Sequence, residues 1–234
     1  MVVALGLAVA LVALLRGGDD DGGAAATASP AVSGPANDEP ARTEARALAA
    51  AVAMDAPDWG SGYKRSDPYE IDPAPEWDVR STCELYDQSS RAGTLAAIRR
   101  WVTHPTTGLS GFTEVRVFRD AATAESYVND VESGTRRCPE QRSGKVRFAG
   151  VRQATAPSVT GFDEIVAEDG RQVADSEGAR TDYPYVVYTG RSGAITLSVL
   201  DYDEAAGGSV PARLTERATG VLKKLRERLE NAPR

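Results

Sequence analysis

The sequence predicts an α+β fold in which a twisted antiparallel sheet of about five to six strands carries helices on one face. Short segments that alternate apolar and polar residues recur from residue 94 onward, with the period of two that strands show. One helical segment precedes these strands, one interrupts them and one follows them. The chain has only two cysteines, Cys83 and Cys138, which allow one internal disulfide.

The N-terminal segment, residues 1–16, has the character of a signal sequence. Its apolar run, Val2–Leu15, is long enough for a signal-peptide core but shorter than the roughly 20 residues that span a bilayer. Arg16 and a cluster of aspartates follow, as is typical of a membrane edge. We interpret residues 1–16 as a single-pass membrane anchor with the domain outside the cytoplasm. A small-x-small site at Ala26–Ala28 leaves open cleavage and secretion.

Residues 17–38 are expected to form a flexible linker, because Ala, Gly, Pro and Asp dominate it and Val32 is its only sizeable apolar side chain. Residues 39–234 then form the folded, extracytoplasmic domain. This domain is expected to open with a helix from about Pro40 to Met54, where apolar residues recur at helical spacing.

A loop rich in proline and glycine follows, from residue 57 to residue 77, with at most one edge strand. Four aromatic residues in it are candidate ligand-binding residues: Trp59, Tyr63, Tyr69 and Trp77. Aromatic side chains can line a ligand groove, but they also anchor a loop to the sheet beneath it. The sequence leaves both interpretations open.

The most regular pattern lies between Phe112 and Glu140. It begins with a strand in which Val115 and Val117 alternate with Glu114 and Arg116, as expected when one face of the strand meets the core. The segment Thr94–His104, which ends at a proline, is expected to pair with this strand as a hairpin.

Asp120 is expected to cap the helix that follows, because its carboxylate can accept from the free backbone N–H groups of the first turn. Four apolar residues keep to one face of this helix: Ala124, Tyr127, Val128 and Val131. Gly134 is expected to fray the last turn. Cys138 follows near the same face, so its sulfur should point inward. A disulfide with Cys83, itself beside a short helix or turn, would stabilise the domain by about 4 kcal/mol.

The remaining elements lie C-terminal to this stretch. The predicted strands are Lys145–Val151, Glu164–Glu168, Tyr185–Thr189 and Ala194–Leu200. The last two flank a short turn that contains two glycines, so they are expected to form a hairpin. A final helix is expected from about residue 209 to residue 230, with an apolar stripe that the sheet must cover.

Composition and motifs exclude several functions. The net charge of −7 argues against a nucleic-acid partner, which needs a concentrated basic surface; the pairs Arg99–Arg100 and Arg136–Arg137 are interpreted as solvated faces. His104 is the only histidine, so a histidine-rich metal site is excluded. The acidic residues Asp201, Asp203 and Glu204 are interpreted as a solvated turn rather than a calcium site.

No catalytic residue is predicted either. The segments Gly108–Gly111 and Gly190–Gly193 lack the Gly-x-Ser-x-Gly spacing of a nucleophile elbow. Ser143–Lys145 lacks the flanking residues of a phosphate-binding loop. We therefore predict a protein without catalytic activity, cofactor or metal.

The central stretch resembles the PknH-like extracellular sensor domain family, found in actinobacterial receptor Ser/Thr kinases and in stand-alone anchored or secreted proteins. The similarity lies in the segment Val115–Phe118, in Asp120, Ala122, Ala124 and Cys138, and in the hairpin from Val186–Tyr188 to Ile195–Leu197. The resemblance implies a twisted antiparallel sheet with helices on one side and a cleft that receives a ligand. Kinase-borne members commonly carry two disulfides, whereas this chain, expected to be a stand-alone member without a kinase domain, has cysteines for one.

The first functional hypothesis is a membrane-anchored extracytoplasmic sensor or ligand-binding domain whose partner is a small molecule, a lipid or an envelope protein. The alternative is a cell-envelope lipid carrier or protein scaffold, and a secreted hydrolase is the third. A deep apolar cleft would favour the carrier, and a shallow polar cleft would favour the sensor. A serine within hydrogen-bond reach of His104 would favour the hydrolase.

Overall fold

The computed structural model describes residues 38–176, 179–206 and 210–233. Its helices are α1 (Asp38–Val52), α2 (Ala56–Trp59), α3 (Ala121–Arg137) and α4 (Ala212–Asn231). Its strands are β1 (Lys64–Ile71), β2 (Glu76–Val79), β3 (Leu85–Gln88), β4 (Thr94–His104), β5 (Leu109–Phe118), β6 (Glu140–Ser143), β7 (Val146–Gln153), β8 (Glu164–Ser176), β9 (Ala179–Ser192) and β10 (Ile195–Asp203).

The predicted N-terminal anchor, residues 1–16, and residues 17–37 of the predicted linker lie outside the described residues. Within the described ranges, no helix is both long and apolar enough to cross a membrane.

The main sheet is antiparallel throughout and has eight strands in the order β1-β4-β5-β10-β9-β8-β7-β6, while β2 and β3 form a separate hairpin. The prediction of five to six strands was therefore too low. The additional strands are β1 at one edge, within the segment where the sequence allowed one edge strand, and β6 at the other. Both are mostly polar, so no apolar alternation marks them. Pro68 within β1 is compatible with an edge strand, where an N–H is not required.

Helices cover both faces of this sheet, so the predicted single helical face was wrong. Neighbouring residues of a strand point to opposite faces. Val117 of β5 packs in the core formed with α1 and α4, whereas the next residue, Phe118, packs against Ala124 and Tyr127 of α3. We call these two surfaces the α1/α4 face and the α3 face.

Two ion pairs between arginines of α4 and buried aspartates of β10 hold α4 on the α1/α4 face. Asp201 and Asp203 of β10 are fully buried, and the predicted solvated acidic turn is therefore wrong at these two positions. Arg217 binds both carboxylate oxygens of Asp201 at 2.7 Å, and Arg213 lies 2.7 Å from Asp203. The leucine stripe of α4 covers these strands and buries both carboxylates, whereas the side chain of Arg213 stays 64% exposed.

Helix α3 begins as predicted, with Asp120 accepting from the backbone N–H of Thr123 at 2.8 Å. This hydrogen bond lowers the pKa of the Asp120 carboxyl. The predicted fraying at Gly134 does not occur, because the helix continues to Arg137. A side chain at Gly134 would lie only 3.3 Å from the side chain of Val79, so the glycine lets the β2–β3 hairpin approach α3 closely.

The predicted disulfide is confirmed. Cys138, fully buried at the end of α3, is bonded to Cys83 in the β2–β3 turn, with the two Cα atoms 5.4 Å apart. Two polar contacts reinforce the junction: Arg137 Nη2 donates to the carbonyl of Val79 at 2.6 Å, and the N–H of Arg142 donates to the carbonyl of Cys83 at 3.1 Å. The hairpin is thus tied to α3 and to β6.

Candidate functional site

A cavity of about 110 Å³ lies on the α3 face of the sheet. Strands β4, β5, β10, β9 and β8 form its floor, and α3 and the β2–β3 hairpin form its roof. The side chain of Asp130, on the outer part of α3, is 59% exposed and marks an opening to solvent. The disulfide therefore joins the two elements that roof the cavity.

Strand register arranges the floor in two rows of cross-strand neighbours. The first row is polar and consists of Arg99, Glu114, Ser198 and Thr189. The second row is apolar until its end and consists of Phe112, Leu200, Val187 and Glu168. Because directly paired residues point to the same face, each row follows from the pairing of the strands. The carboxylates of the two rows belong to strands three spacings apart, or about 14 Å.

Three charged groups are buried at the β4–β5 end of the floor. Glu114 accepts from Arg99 Nε at 2.8 Å and from Arg116 Nε at 2.5 Å. Both arginines also donate to the carbonyl of Pro75. The interpretation of Arg99 as part of a solvated face is therefore wrong, since Arg99 is 3% exposed and stacks 4.1 Å from the ring of Trp77.

Burial by itself would raise the pKa of Glu114, but Arg116 and Arg99 outweigh burial and lower it. Glu114 is consequently ionised in the folded protein, and it neutralises one of the two guanidinium charges. Tyr127 of α3 closes the cluster from above, with its ring 5.5 Å from the guanidinium carbon of Arg116. Burial raises the pKa of Tyr127 to about 12, which keeps the phenol neutral.

Arg91 lies at the margin of the cavity and is bound from two sides. Its guanidinium contacts the buried carboxylate of Glu76 and lies 3.1 Å from Asp130 on α3. Both its charge and its direction are therefore fixed by carboxylates of this chain.

The opposite end of the cavity contains Glu168 of β8, whose half-buried carboxylate accepts hydrogen bonds only from hydroxyl groups among the described residues. Thr135 Oγ1 of α3 lies 2.5 Å from Oε2, and the hydroxyl of Tyr185 lies 2.7 Å from Oε1. Burial raises the pKa of Glu168, although both hydroxyl groups act in the opposite direction. Gly170 makes room for Tyr185, because a Cβ there would lie 2.9 Å from the tyrosine ring.

The structure separates the four aromatic residues that the sequence proposed for ligand binding. Trp59 and Tyr63 lie together on the α1/α4 face, with ring centroids 5.8 Å apart. Tyr69 of β1 lies 4.4 Å below the guanidinium of Arg65. Trp77 lies on the other face against Phe112 and lines the cavity. Of the four, only Trp77 contributes to this site, and a ligand-binding role for the other three stays a prediction.

The sequence reasoning missed the polar residues of the cavity. The sequence predicted a solvated face for Arg99 as part of the pair Arg99–Arg100, and for Glu114 and Arg116 it predicted only that they lie on the face of β5 opposite Val115 and Val117. The signal that could have found them is the pairing itself, since Arg99 and Glu114 face each other in the β4–β5 hairpin. Glu168 and Thr135 gave no comparable signal in the sequence.

The structure offers His104 no catalytic arrangement among the described residues. Its Nδ1 lies 3.2 Å from the hydroxyl of Thr106, two residues away in the same turn, and its ring packs edge-on against Tyr63. Among all the residues that the structure describes, no group of three or more His, Cys, Asp or Glu side chains is placed to hold a metal ion.

Comparison with solved structures finds the same fold in the extracellular domain of PknH from Mycobacterium tuberculosis. The TM-score is 0.51 at 12% sequence identity, over 79% of this chain and 95% of that domain. An uncharacterised protein from Mycobacterium smegmatis gives a TM-score of 0.44 at 11% identity, over 76% and 97% of the two chains. No protein-family model and no curated protein matches the sequence. The predicted resemblance to PknH-like extracellular domains is thus confirmed at the level of the fold.

Proposed function

We propose that this chain is a non-catalytic, extracytoplasmic sensor domain that binds a small molecule in the cavity beneath α3. The cavity carries this proposal, because it combines apolar walls with charged groups that the chain already holds in fixed orientations. A ligand entering such a site finds its polar contacts preorganised, which lowers the entropic cost of binding.

Three features support a position outside the cytoplasm. A structural disulfide persists in oxidising compartments and is rare in the cytosol. The apolar segment 1–16 fits an export signal or a membrane anchor. The fold is that of a domain described as extracellular. We infer a retained single-pass anchor, with secretion after cleavage as the alternative. Extraction of the full chain from host membranes by detergent, but not by high salt, would distinguish the two.

The size of the cavity favours a sensor over a lipid carrier. At about 110 Å³ it is well below the roughly 300–1,000 Å³ of pockets that enclose drug-sized ligands. A carrier must cover long acyl chains, and buried Glu114 and Arg99 would oppose them, because burying apolar groups against charges leaves the charges poorly solvated.

Native mass spectrometry of the full chain purified from its own host tests the proposal. We expect a bound species of low mass that is released on unfolding. Trp77 provides an independent reporter, since it lines the cavity. Adding the released species back should change tryptophan fluorescence in the wild type and in the control Trp59→Phe, which alters the opposite face. The change should be much smaller in Trp77→Phe, where Trp101 remains behind Phe112. A bare protein whose fluorescence is unaffected by a host small-molecule extract would contradict the proposed function.

A further inference from the structure

The charges around the cavity favour a cation. Among the described residues, four carboxyl side chains line it, Asp78, Glu114, Asp130 and Glu168, against the guanidinium groups of Arg91 and Arg99. Their direct partners Glu76 and Arg116 bring the total to five carboxyl groups and three guanidinium groups. In a partly enclosed space of low dielectric constant, this imbalance attracts positive charge and repels negative charge.

The two arginines are not available to an anionic ligand. Arg99 is held by Glu114 at 2.6 Å, and Arg91 is held by Glu76 and Asp130. An anion that displaced Glu114 or Glu76 would leave a buried carboxylate without a partner, at a large cost. An anion that displaced the exposed Asp130 from Arg91 would still bind beside the buried Glu76, which would repel it.

Glu168 is in the opposite situation. Among the described residues no arginine, lysine or histidine forms an ion pair with it, and its partners are the hydroxyls of Thr135 and Tyr185. A carboxylate retains free lone pairs after accepting two hydrogen bonds, so a further donor can bind. An ammonium group placed there would supply the charge that the chain does not.

The surroundings of Glu168 suit the rest of such a ligand. Val187 is its direct neighbour in the floor, and Phe148 packs edge-on against Tyr185 with ring centroids 5.5 Å apart. Aromatic rings attract cations as well as apolar groups. An apolar cavity of about 150 Å³ in another protein holds benzene, so a space of this size suits a ligand with a handful of heavy atoms.

Building on the proposed function, we propose that the ligand is a small organic amine, with its ammonium group bound to Glu168 and its apolar body over Val187 and Leu200. Glu168 is then the residue that determines specificity, and the Arg99–Glu114–Arg116 cluster closes the far end of the site against larger molecules.

Three probes of one shape but different charge test this assignment: benzylammonium, benzyl alcohol and benzoate. We expect calorimetry on the full, oxidised chain to give benzylammonium an affinity at least about tenfold above that of benzyl alcohol, as a charge-assisted hydrogen bond supplies. Benzoate should bind most weakly. Glu168→Gln should reduce the benzylammonium affinity by about tenfold or more and leave benzyl alcohol nearly unchanged.

Asp169→Asn is the matched control, because it removes the same charge from the next residue of β8, whose carboxylate pairs with the exposed Arg152. We expect it to change the benzylammonium affinity by about twofold at most. Glu168→Gln should fold, since the amide oxygen can accept from one of the two hydroxyls and the amide NH2 can donate to the oxygen of the other. The thermal transition of each variant verifies this.

Benzoate binding as tightly as benzylammonium, or equal losses in the two variants, would overturn the amine assignment while leaving the cavity as a ligand site. Failure of all three probes to bind at millimolar concentration would also overturn it. The proposed function is judged separately, by the co-purified species and the response of Trp77.

Discussion

Glu114 is the residue on which the buried charges depend. Two guanidinium groups, those of Arg99 and Arg116, are almost fully withdrawn from water, and among the described residues Glu114 is the carboxylate that contacts both. The carbonyl of Pro75 and the rings of Trp77 and Tyr127 contribute partial negative charge. None of these neutral groups replaces a full negative charge, so the cluster should tolerate loss of Glu114 poorly.

Glu114→Gln is therefore expected to lower the free energy of unfolding by about 3–5 kcal/mol, because it leaves two buried cations without a counter-ion. Urea unfolding followed by circular dichroism measures this loss. Glu140→Gln is the control: its carboxylate is 52% exposed and pairs with Arg147 at the surface, so its loss should cost about 0–1 kcal/mol. Equal losses of unfolding free energy in the two variants would show that Glu114 stabilises the fold no more than an exposed carboxylate does.

The same substitution should change the response to acid. Because the pKa of Glu114 is lowered in the folded state, its stabilisation is present above the pKa of the unfolded chain and is lost as the pH falls through the folded value. The wild type should therefore lose more free energy of unfolding on acidification than Glu114→Gln. A steeper acid response in the variant would contradict the assigned direction.

For individual residues of β5, the sequence indicated which side chains share a face of the strand but not which face meets water. The alternation of Val115 and Val117 with Glu114 and Arg116 predicted the strand correctly, and both valines are buried. The charged residues are buried too, because α3 covers their side of the sheet. A period of two is the same whether charges face solvent or one another, and only the position of α3 decides between these cases.

Among the helices, α3 depends on a glycine for its position. Gly134 lies within the helix, where glycine is unfavourable relative to alanine, yet a Cβ there would lie 3.3 Å from Val79 of the hairpin. The close approach also allows Arg137 to reach the carbonyl of Val79. The glycine thus sets the height of the cavity roof.

We expect Gly134→Ala and Gly220→Ala to have different effects. Gly220 lies exposed in α4, and no atom lies within 4 Å of the place that a Cβ would take, so its substitution should raise the free energy of unfolding by about 0.5–1 kcal/mol. Gly134→Ala gains the same helix propensity but presses on Val79, and we expect it to be at least about 1 kcal/mol less favourable than Gly220→Ala. Chemical denaturation of both variants measures the difference. Equal increases in the free energy of unfolding would mean that the β2–β3 hairpin moves away from the new methyl group at no cost.

Predictions of whole elements succeeded where an element carries its own pattern. The cap at Asp120, the apolar face of α3 and the β9–β10 hairpin are all local features, and all are present. The edge strands β1 and β6 are defined instead by the neighbour that pairs with them, which no local pattern records. The four aromatic residues of the segment 57–77 do not form one site for a similar reason: consecutive parts of this segment pack on opposite faces of the sheet, which no local pattern records.

The part of the chain that the structure describes has helices on both faces of the eight-stranded sheet, and the two faces differ in what holds their helices. On the α1/α4 face, α4 is held by its own apolar stripe and by the ion pairs of Asp201 and Asp203. On the α3 face, a cavity remains beneath the helix, so less apolar surface is available to hold it. The Cys83–Cys138 bond supplies a covalent tie on this second face, where packing is incomplete.

Replacing both cysteines by serine should therefore affect stability and binding together. The bridge spans 55 residues, and its loss should lower the free energy of unfolding by about 4 kcal/mol through the greater entropy of the unfolded chain. Affinity for benzylammonium should fall as well, because the β2–β3 hairpin is part of the cavity roof. Reducing agent should reproduce both effects in the wild type and have neither in the double variant. A double variant that loses stability but keeps full affinity would show that the hairpin holds its place over the cavity without the bond.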